Sequence, residues 1–243
     1  MSLSGKTALI TGGGTGIGAA TALALAEEGC QVAITGRRME KLRETADQFS
    51  GDPPLLAHPA DVGDRDSLAE LFHWLDRELG RLDILVNSAG INVPVRSMAD
   101  LTPENWDRVL RINATGAYNC ICCVLPQMRE RKDGIIVNIS SIAGIRTGPL
   151  GGVAYNASKF AMSALGRTVA TEVKDEGIRV SNVYPGEVET PILDDRPEPV
   201  SAERRAKILQ PEDVAAAVLM IVKLPPRAHV SDLVIKPTTQ VLS

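Results

Sequence analysis

Lys6-Thr7-Ala8-Leu9-Ile10-Thr11 runs directly into Gly12-Gly13-Gly14-Thr15-Gly16-Ile17-Gly18, and Ala19-Ala20-Thr21-Ala22-Leu23-Ala24-Leu25-Ala26-Glu27-Glu28-Gly29 follows without a break. The first segment has the composition of a short buried strand bounded by glycine. The last is rich in strong helix formers and is stopped by a glycine at its C-terminal end. Gln31-Val32-Ala33-Ile34-Thr35 then reads as a second strand, so the chain opens on a βαβ unit. Between strand and helix, glycines let the backbone turn sharply and approach a pyrophosphate, which the positive helix N-terminus favours. The spacing Gly12, Gly16, Gly18 differs from the G-x-G-x-x-G of the general dinucleotide fingerprint.

Outward from this unit, strand and helix patterns alternate with no Pro/Ser-rich linker and no internal repeat. Leu82-Asp83-Ile84-Leu85-Val86 and Gly134-Ile135-Ile136-Val137-Asn138-Ile139 are nearly continuous apolar runs, as expected of parallel strands buried on both faces. Arg179-Val180-Ser181-Asn182-Val183-Tyr184 and Leu233-Val234-Ile235 supply two more. Helical patterns fall near residues 65–79, 103–124, 153–176 and 211–223. Thr102-Pro103 gives the third chain segment of this kind a cap residue and a first-turn proline. The expected architecture is an α/β, doubly wound parallel sheet with helices on both faces. Ligands of such sheets sit outside the carboxyl ends of the strands.

Composition narrows the function classes. A chain of 243 residues with net charge −4 and no basic block is a poor nucleic-acid partner. No apolar run is long enough to span a bilayer, and the glycine motif starts so early that no signal peptide is expected, so a cytoplasmic protein is expected. Cys30, Cys120, Cys122 and Cys123 form neither a zinc pattern nor a disulfide framework, and His58, His73 and His229 are scattered. No metal is expected.

Tyr155-Asn156-Ala157-Ser158-Lys159 sets a phenol and an ammonium at i and i+4, on one face of a helix. A neighbouring cation favours phenolate, which would bring the tyrosine toward the working range of a general acid or base. Together with the glycine motif, this pair is similar to the short-chain dehydrogenase/reductase family over nearly the whole chain. Thr11 to Gly18 matches the family's Thr-Gly-x-x-x-Gly-x-Gly, and Asn87-Ser88-Ala89-Gly90 its Asn-Asn-Ala-Gly element. Asn113, Ser141, Tyr155 and Lys159 match its catalytic asparagine, serine, tyrosine and lysine. Pro185-Gly186, with Val188 and Thr190, matches the element after the sixth strand.

The resemblance implies a single-domain Rossmann fold over residues 1–243, with a nucleotide-binding part in about 1–150 and a catalytic and substrate-binding part in about 100–243. It implies a nicotinamide cofactor held by Gly12, Gly14, Thr15, Gly16, Ile17 and Gly18, with Asp61 and Val62 toward the adenine. Asn87, Ala89 and Gly90 would line its path, and Tyr155, Lys159, Pro185, Gly186, Val188 and Thr190 its nicotinamide end. At the end of the second strand, Thr35-Gly36-Arg37-Arg38 has glycine where the family's NAD-preferring members carry an acid. Without that carboxylate, Arg37 and Arg38 can meet a ribose 2′-phosphate, so NADP(H) is expected over NAD(H).

By the same resemblance the reaction is reversible reduction of a small ketone or aldehyde to an alcohol. Ser141 would hold the carbonyl oxygen, Tyr155 would protonate it, Lys159 would tune the tyrosine and bind the nicotinamide ribose, and Asn113 would hold a water. Candidate substrate contacts lie in Ile142 to Gly152, among them Ala143 and Arg146, and at Glu187, which could instead pair with a loop arginine. The segment Leu233-Val234-Ile235-Lys236-Pro237-Thr238 resembles reductases of small hydroxy acids more than 3-oxoacyl-(acyl-carrier-protein) reductases, which remain the alternative. A catalytically silent, nucleotide-bound regulatory protein is the alternative of another class. A homo-oligomer, dimer or tetramer, is expected from the helices bearing Asn113 and Tyr155.

Overall fold

The computed structural model describes residues 2–240; Met1 and residues 241–243 of the expected domain lie outside the described residues. Seven parallel strands form one sheet in the order β3-β2-β1-β4-β5-β6-β7. They are β1 (Thr7–Thr11), β2 (Gln31–Gly36), β3 (Leu56–Pro59), β4 (Ile84–Asn87), β5 (Gly134–Ile139), β6 (Ile178–Pro185) and β7 (Asp232–Ile235). The order reverses between β1 and β4, which opens a crevice at their carboxyl ends.

Alternation along each strand divides the core into two layers. Ala8, Ile10, Val32, Ile34, Val86, Val137 and Val183 face one layer, covered by α1 (Gly16–Glu27), α2 (Met39–Ala46) and α8 (Pro211–Lys223). Leu9, Ala33, Leu85, Ile136 and Val180 face the other. That side is covered by α3 (Arg65–Glu78), α5 (Gly116–Arg131) and α6 (Val153–Glu172), through Leu68, Leu71, Cys120, Val124 and Val169. Burial on both faces is why β1 and β4 read as unbroken apolar runs, and each fully buried Leu or Ile contributes about 1.5–3 kcal/mol. Two short helices, α4 (Pro103–Leu110) and α7 (Ala202–Arg205), belong to the cavity side. Thr102 caps α4 by accepting the Asn105 N–H at 3.3 Å, with Pro103 in the first turn.

The expected helix over 103–124 is two α-helices joined by a π-helical turn, Arg111–Thr115. The expected strand at Leu82 begins at Ile84; just ahead of it the Asp83 carboxylate takes the Thr7 N–H and hydroxyl and pairs with Lys6 and Arg81, while its backbone already bonds to Thr7 and Ile135. The helix expected to reach residue 176 ends at Glu172, in a looser turn that leads into β6.

Candidate active site

A cavity of about 900 Å³ opens along the carboxyl ends of the strands. At one end the β1–α1 turn is drawn tight: Gly12 has φ +66°, and a Cβ there would lie 2.9 Å from Ala89 Cα. A Cβ at Gly18 would run into the Gly12 carbonyl oxygen, so neither position admits a side chain. Thr11 Oγ1 accepts the N–H groups of Ser88 and Ala89, each at 3.1 Å, and so ties this turn to the end of β4. Thr15 caps α1 without a side-chain hydrogen bond, which leaves the leading N–H groups of the helix available to an anion.

Arg37 and Arg38 line the cavity, are exposed, and have no side-chain partner among the described residues. A Cβ at Gly36 would touch only Leu42, at 3.7 Å. Lys41, which the sequence reading passed over, adds a third cation beside them and pairs with Glu44 at 2.6 Å. Asp61 and Val62 line the same end, with the Asp61 carboxylate accepting the Gly63 N–H at 2.9 Å and lying 3.3 Å from Arg111.

Of the nucleotide-contact residues expected from sequence, Asn87 is misplaced. Its side chain is buried in the sheet, where Nδ2 donates to Asn138 Oδ1 at 3.0 Å, and Asn138 Nδ2 donates to Asn182 Oδ1 at 3.2 Å. The parallel register brings these three asparagines level on β4, β5 and β6. The Asn87 amide is engaged inside the sheet and does not line the cavity; Ser88, Ala89 and Gly90 do.

At the other end, Ser141, Tyr155 and Lys159 line one wall. Ser141 follows β5, and its Oγ accepts the Ala143 N–H at 3.1 Å, which leaves its own hydrogen free to point elsewhere. Ser140 is buried and committed to Ser163 Oγ at 2.9 Å and to the Lys159 carbonyl. Lys159 is buried, donates to the Ile139 carbonyl at 2.9 Å, and sits 5.6 Å from the centre of the Tyr155 ring. Burial pushes the Lys159 ammonium down to about 8. The expected lowering of the tyrosine is not found: burial holds the Tyr155 phenol above its ordinary value, with the Ser141 hydroxyl and the Arg96 charge opposing that rise. Desolvation outweighs both of these groups.

Asn113 lies in the π-helical turn and is fully buried beneath the cavity floor. The wider turn lets its amide bracket Ile91: Oδ1 accepts the Ile91 N–H at 2.8 Å, and Nδ2 donates to the Ile91 carbonyl at 2.9 Å and to Ser158 Oγ at 3.0 Å. One lone pair of Oδ1 remains, on the side where Gly90 lies close to both Asn113 and Lys159.

Pro185, Gly186, Val188 and Thr190 line the cavity past β6. Ala143 lines it too, and Arg146 stands exposed on its rim with no partner among the described residues. Glu187 lines the cavity as well, and of its two expected roles the structure shows the arginine pair. Its carboxylate is held by Arg204, at 2.7 and 3.0 Å, and by Arg196 at 3.1 Å, and these cations keep it below the usual carboxylate range. It is therefore committed to pinning the segment 191–205 rather than free for a substrate. Arg96 was missed altogether. It is nine-tenths buried and donates to the carbonyls of Val93 at 2.9 Å, Leu150 at 2.5 Å and Asp195 at 2.8 Å.

The described residues contain no group of three or more His, Cys, Asp or Glu side chains arranged for a metal ion, and no helix long and apolar enough to cross a membrane.

A glycine turn at the head of a doubly wound parallel sheet, with a serine, a tyrosine and a buried lysine converging across its crevice, defines a nucleotide-dependent oxidoreductase. The chain matches the short-chain dehydrogenase family over residues 6–200 and belongs to it. It is an oxidoreductase of the kind that acts on CH–OH groups. It is 36% identical over 231 residues to the 3-oxoacyl-(acyl-carrier-protein) reductase of Thermotoga maritima, covering 91% of this chain and 92% of that protein. It is 35% identical over 241 residues to the glycine betaine reductase of Emericella nidulans; this covers 97% of the chain but spans only 19% of that protein. The structure of serine dehydrogenase in a closed form complexed with NADP+ superposes with a TM-score of 0.89 at 30% identity, covering 97% and 96% of the two chains.

Proposed function

We propose that this protein reduces a small ketone or aldehyde to the alcohol, and runs the reverse oxidation, with NADP(H) as preferred cofactor and NAD(H) as the weaker one. The residues fit such a cofactor. The turn at Gly12 and Gly18 has no room for side chains, and α1 offers uncapped N–H groups for a pyrophosphate. Arg37 and Arg38 are charges without partners beside a glycine that leaves space for a 2′-phosphate. The NADP+ held by the serine dehydrogenase relative points the same way.

When bound, NADPH supplies a hydride to the carbonyl carbon. The chain supplies the rest. Ser141 Oγ, with its oxygen already accepting the Ala143 N–H, turns its hydrogen to the carbonyl oxygen as negative charge gathers there. Tyr155 gives its phenolic proton to that oxygen, and in the oxidation direction takes it back. Lys159 faces the resulting phenolate, which its charge favours over the phenol. Asn113, with one Oδ1 lone pair unused, holds a water through which the Lys159 proton is replaced.

One observation carries this reading: Lys159 is buried beside Tyr155 and, among the described residues, is bonded to a strand-end carbonyl and to no carboxylate, which leaves its charge to act on the phenol. The test is Tyr155→Phe. The variant is expected to bind NADPH as the wild type does and to lose about 10²–10⁴ in turnover. Wild-type turnover of any reducible ketone by this variant would refute the assignment. The likeness to the Thermotoga reductase supports a second reading, reduction of 3-oxoacyl groups on a carrier protein. A kcat/KM for a carrier-bound 3-oxoacyl group far above that for free small ketones would favour it.

We also propose that the chain forms a homo-oligomer through α4, α5 and α6, where Trp106, Tyr118 and Phe160 are exposed.

A further inference from the structure

We propose that Arg96 is the anchor for a carboxylate on the substrate, so that the compound reduced is a short oxo acid rather than a neutral carbonyl compound. The inference rests on the reductase reading above and names its substrate class. Arg96 lines the cavity and is only 9% exposed, yet among the described residues no carboxylate lies within ion-pair reach of it. A guanidinium stays charged in a protein, and a buried charge is held at a cost unless something of opposite sign meets it. Three of its five N–H groups are engaged, all by backbone carbonyls; two remain.

Those three carbonyls belong to three different segments that frame the cavity: Val93 after β4, Leu150 before α6, and Asp195 past β6. The guanidinium is thereby fixed before any ligand arrives, which is what an anchoring group requires. Its surroundings add to the positive field. The Val153 N–H, at the head of α6, donates to the Arg96 carbonyl, and Gly152 caps that 20-residue helix with no side chain. The positive end of α6 and the Arg96 charge therefore act on the same space. Of the charged groups around it, Arg196 adds to that field and Asp195 opposes it, and Tyr155 lies within electrostatic reach.

No other cation of this end fits the task as well. Arg196 is taken by Glu187, and Arg146 and Arg108 are exposed. Arg96, Ser141 and Tyr155 line the one cavity, so with the carbonyl oxygen on Tyr155 and Ser141 a carboxylate on Arg96 would belong to a short oxo acid, such as a 2-oxo or 3-oxo acid.

The test is a panel of short 2-oxo and 3-oxo acids, each paired with its methyl ester, assayed with NADPH on the wild type and on Arg96→Gln. The acid is expected to exceed its ester in kcat/KM in the wild type, and that ratio to fall about 10- to 100-fold in the variant, the range for loss of a charge-assisted contact. A wild-type ratio near one, or a ratio that survives Arg96→Gln, overturns the inference while leaving the reductase reading standing. If neither acids nor esters turn over although fluorescence titration shows NADPH bound, the inference is overturned; the reductase reading fails with it only if a wider panel of neutral ketones, aldehydes and carrier-bound 3-oxoacyl groups is inert as well. Should Arg96→Gln not fold, the wild type still decides: a saturated carboxylic acid should inhibit at least tenfold better than its amide, and equal inhibition overturns the proposal.

Discussion

Replacing Lys159 by methionine removes a buried ammonium while keeping most of the length of the side chain, and its effect on stability depends on pH in a way the site predicts. In the unfolded chain this lysine titrates at 10.5, and in the folded protein at about 8, because burial penalises the charge. Below pH 8 it is charged in both states, so the folded state bears the whole penalty, about 3 kcal/mol at pH 7. As pH rises past 8 the folded amine gives up its proton while the unfolded one keeps its own until 10.5. The unfolded state then binds more protons, and stability contributed by this position rises with pH. By pH 9.5 about 2 kcal/mol of the penalty is relieved. Lys159→Met has no such relief. The Ile139 carbonyl loses its donor in the variant, a cost that does not vary with pH. Cys30, pushed up to about 12 by burial, and the buried Cys120 titrate alike in both proteins and cancel in the difference. Urea unfolding of cofactor-free wild type and variant at pH 7 and pH 9.5 measures it. The stability of the variant relative to wild type should fall by about 2 kcal/mol across that window. A difference that stays constant would mean the ammonium is not desolvated as its burial implies, and the reasoning would be wrong. The same variant should lose activity, since a charge held against its solvation cost is a charge kept for chemistry.

Two further outcomes are expected. Gly36→Asp combined with Arg37→Ser should turn a preference for NADPH into one for NADH, and loss of Arg37 alone should weaken NADPH about 10- to 100-fold; kcat/KM for both cofactors on one substrate measures this, and equal weakening of both would make Arg37 a surface residue. Light scattering at micromolar concentration should find a dimer or tetramer, and Phe160→Asp should shift it toward monomer; a wild-type monomer would refute the proposed α4–α5–α6 interface.

The fold was legible because its information is local. β1, the glycine turn and α1 lie within residues 7–27, and each uses a rule that acts over a few residues: apolar runs for strands buried on both faces, glycine for the turn, alanine and leucine for the helix. β5 was read to the residue for the same reason. Boundaries slipped where a distant partner intervened. Asp83, which reads as strand, spends its carboxylate on Thr7, 76 positions away, and stands just ahead of β4 although its backbone bonds to both neighbours. The π-helical turn at Arg111–Thr115 has no pattern of its own; its one trace was an asparagine where a helix former was expected.

The site divides along the same line. Ser141, Tyr155 and Lys159, which the structure brings to one wall of the cavity, stand out in the sequence because two of them share a helix face and all three sit in recognisable frames. Asn87 was misread because its role depends on Asn138, 51 residues on, arriving level with it in the neighbouring strand. Glu187 was left open between two roles, and only the folding back of Arg196 and Arg204 decides for the ion pair. Arg96 gave no signal, since its acceptors lie 3, 54 and 99 positions away and are all backbone carbonyls, which carry no side-chain signature. Residues that perform the common chemistry occupy local motifs, whereas those that choose the substrate are set by where loops of different strands converge. Arg96 stands at that convergence, with its charge unmatched by any carboxylate of the described chain. The motifs that point to the reaction class are therefore local in sequence, whereas the feature on which the proposed substrate class rests exists only where distant segments meet.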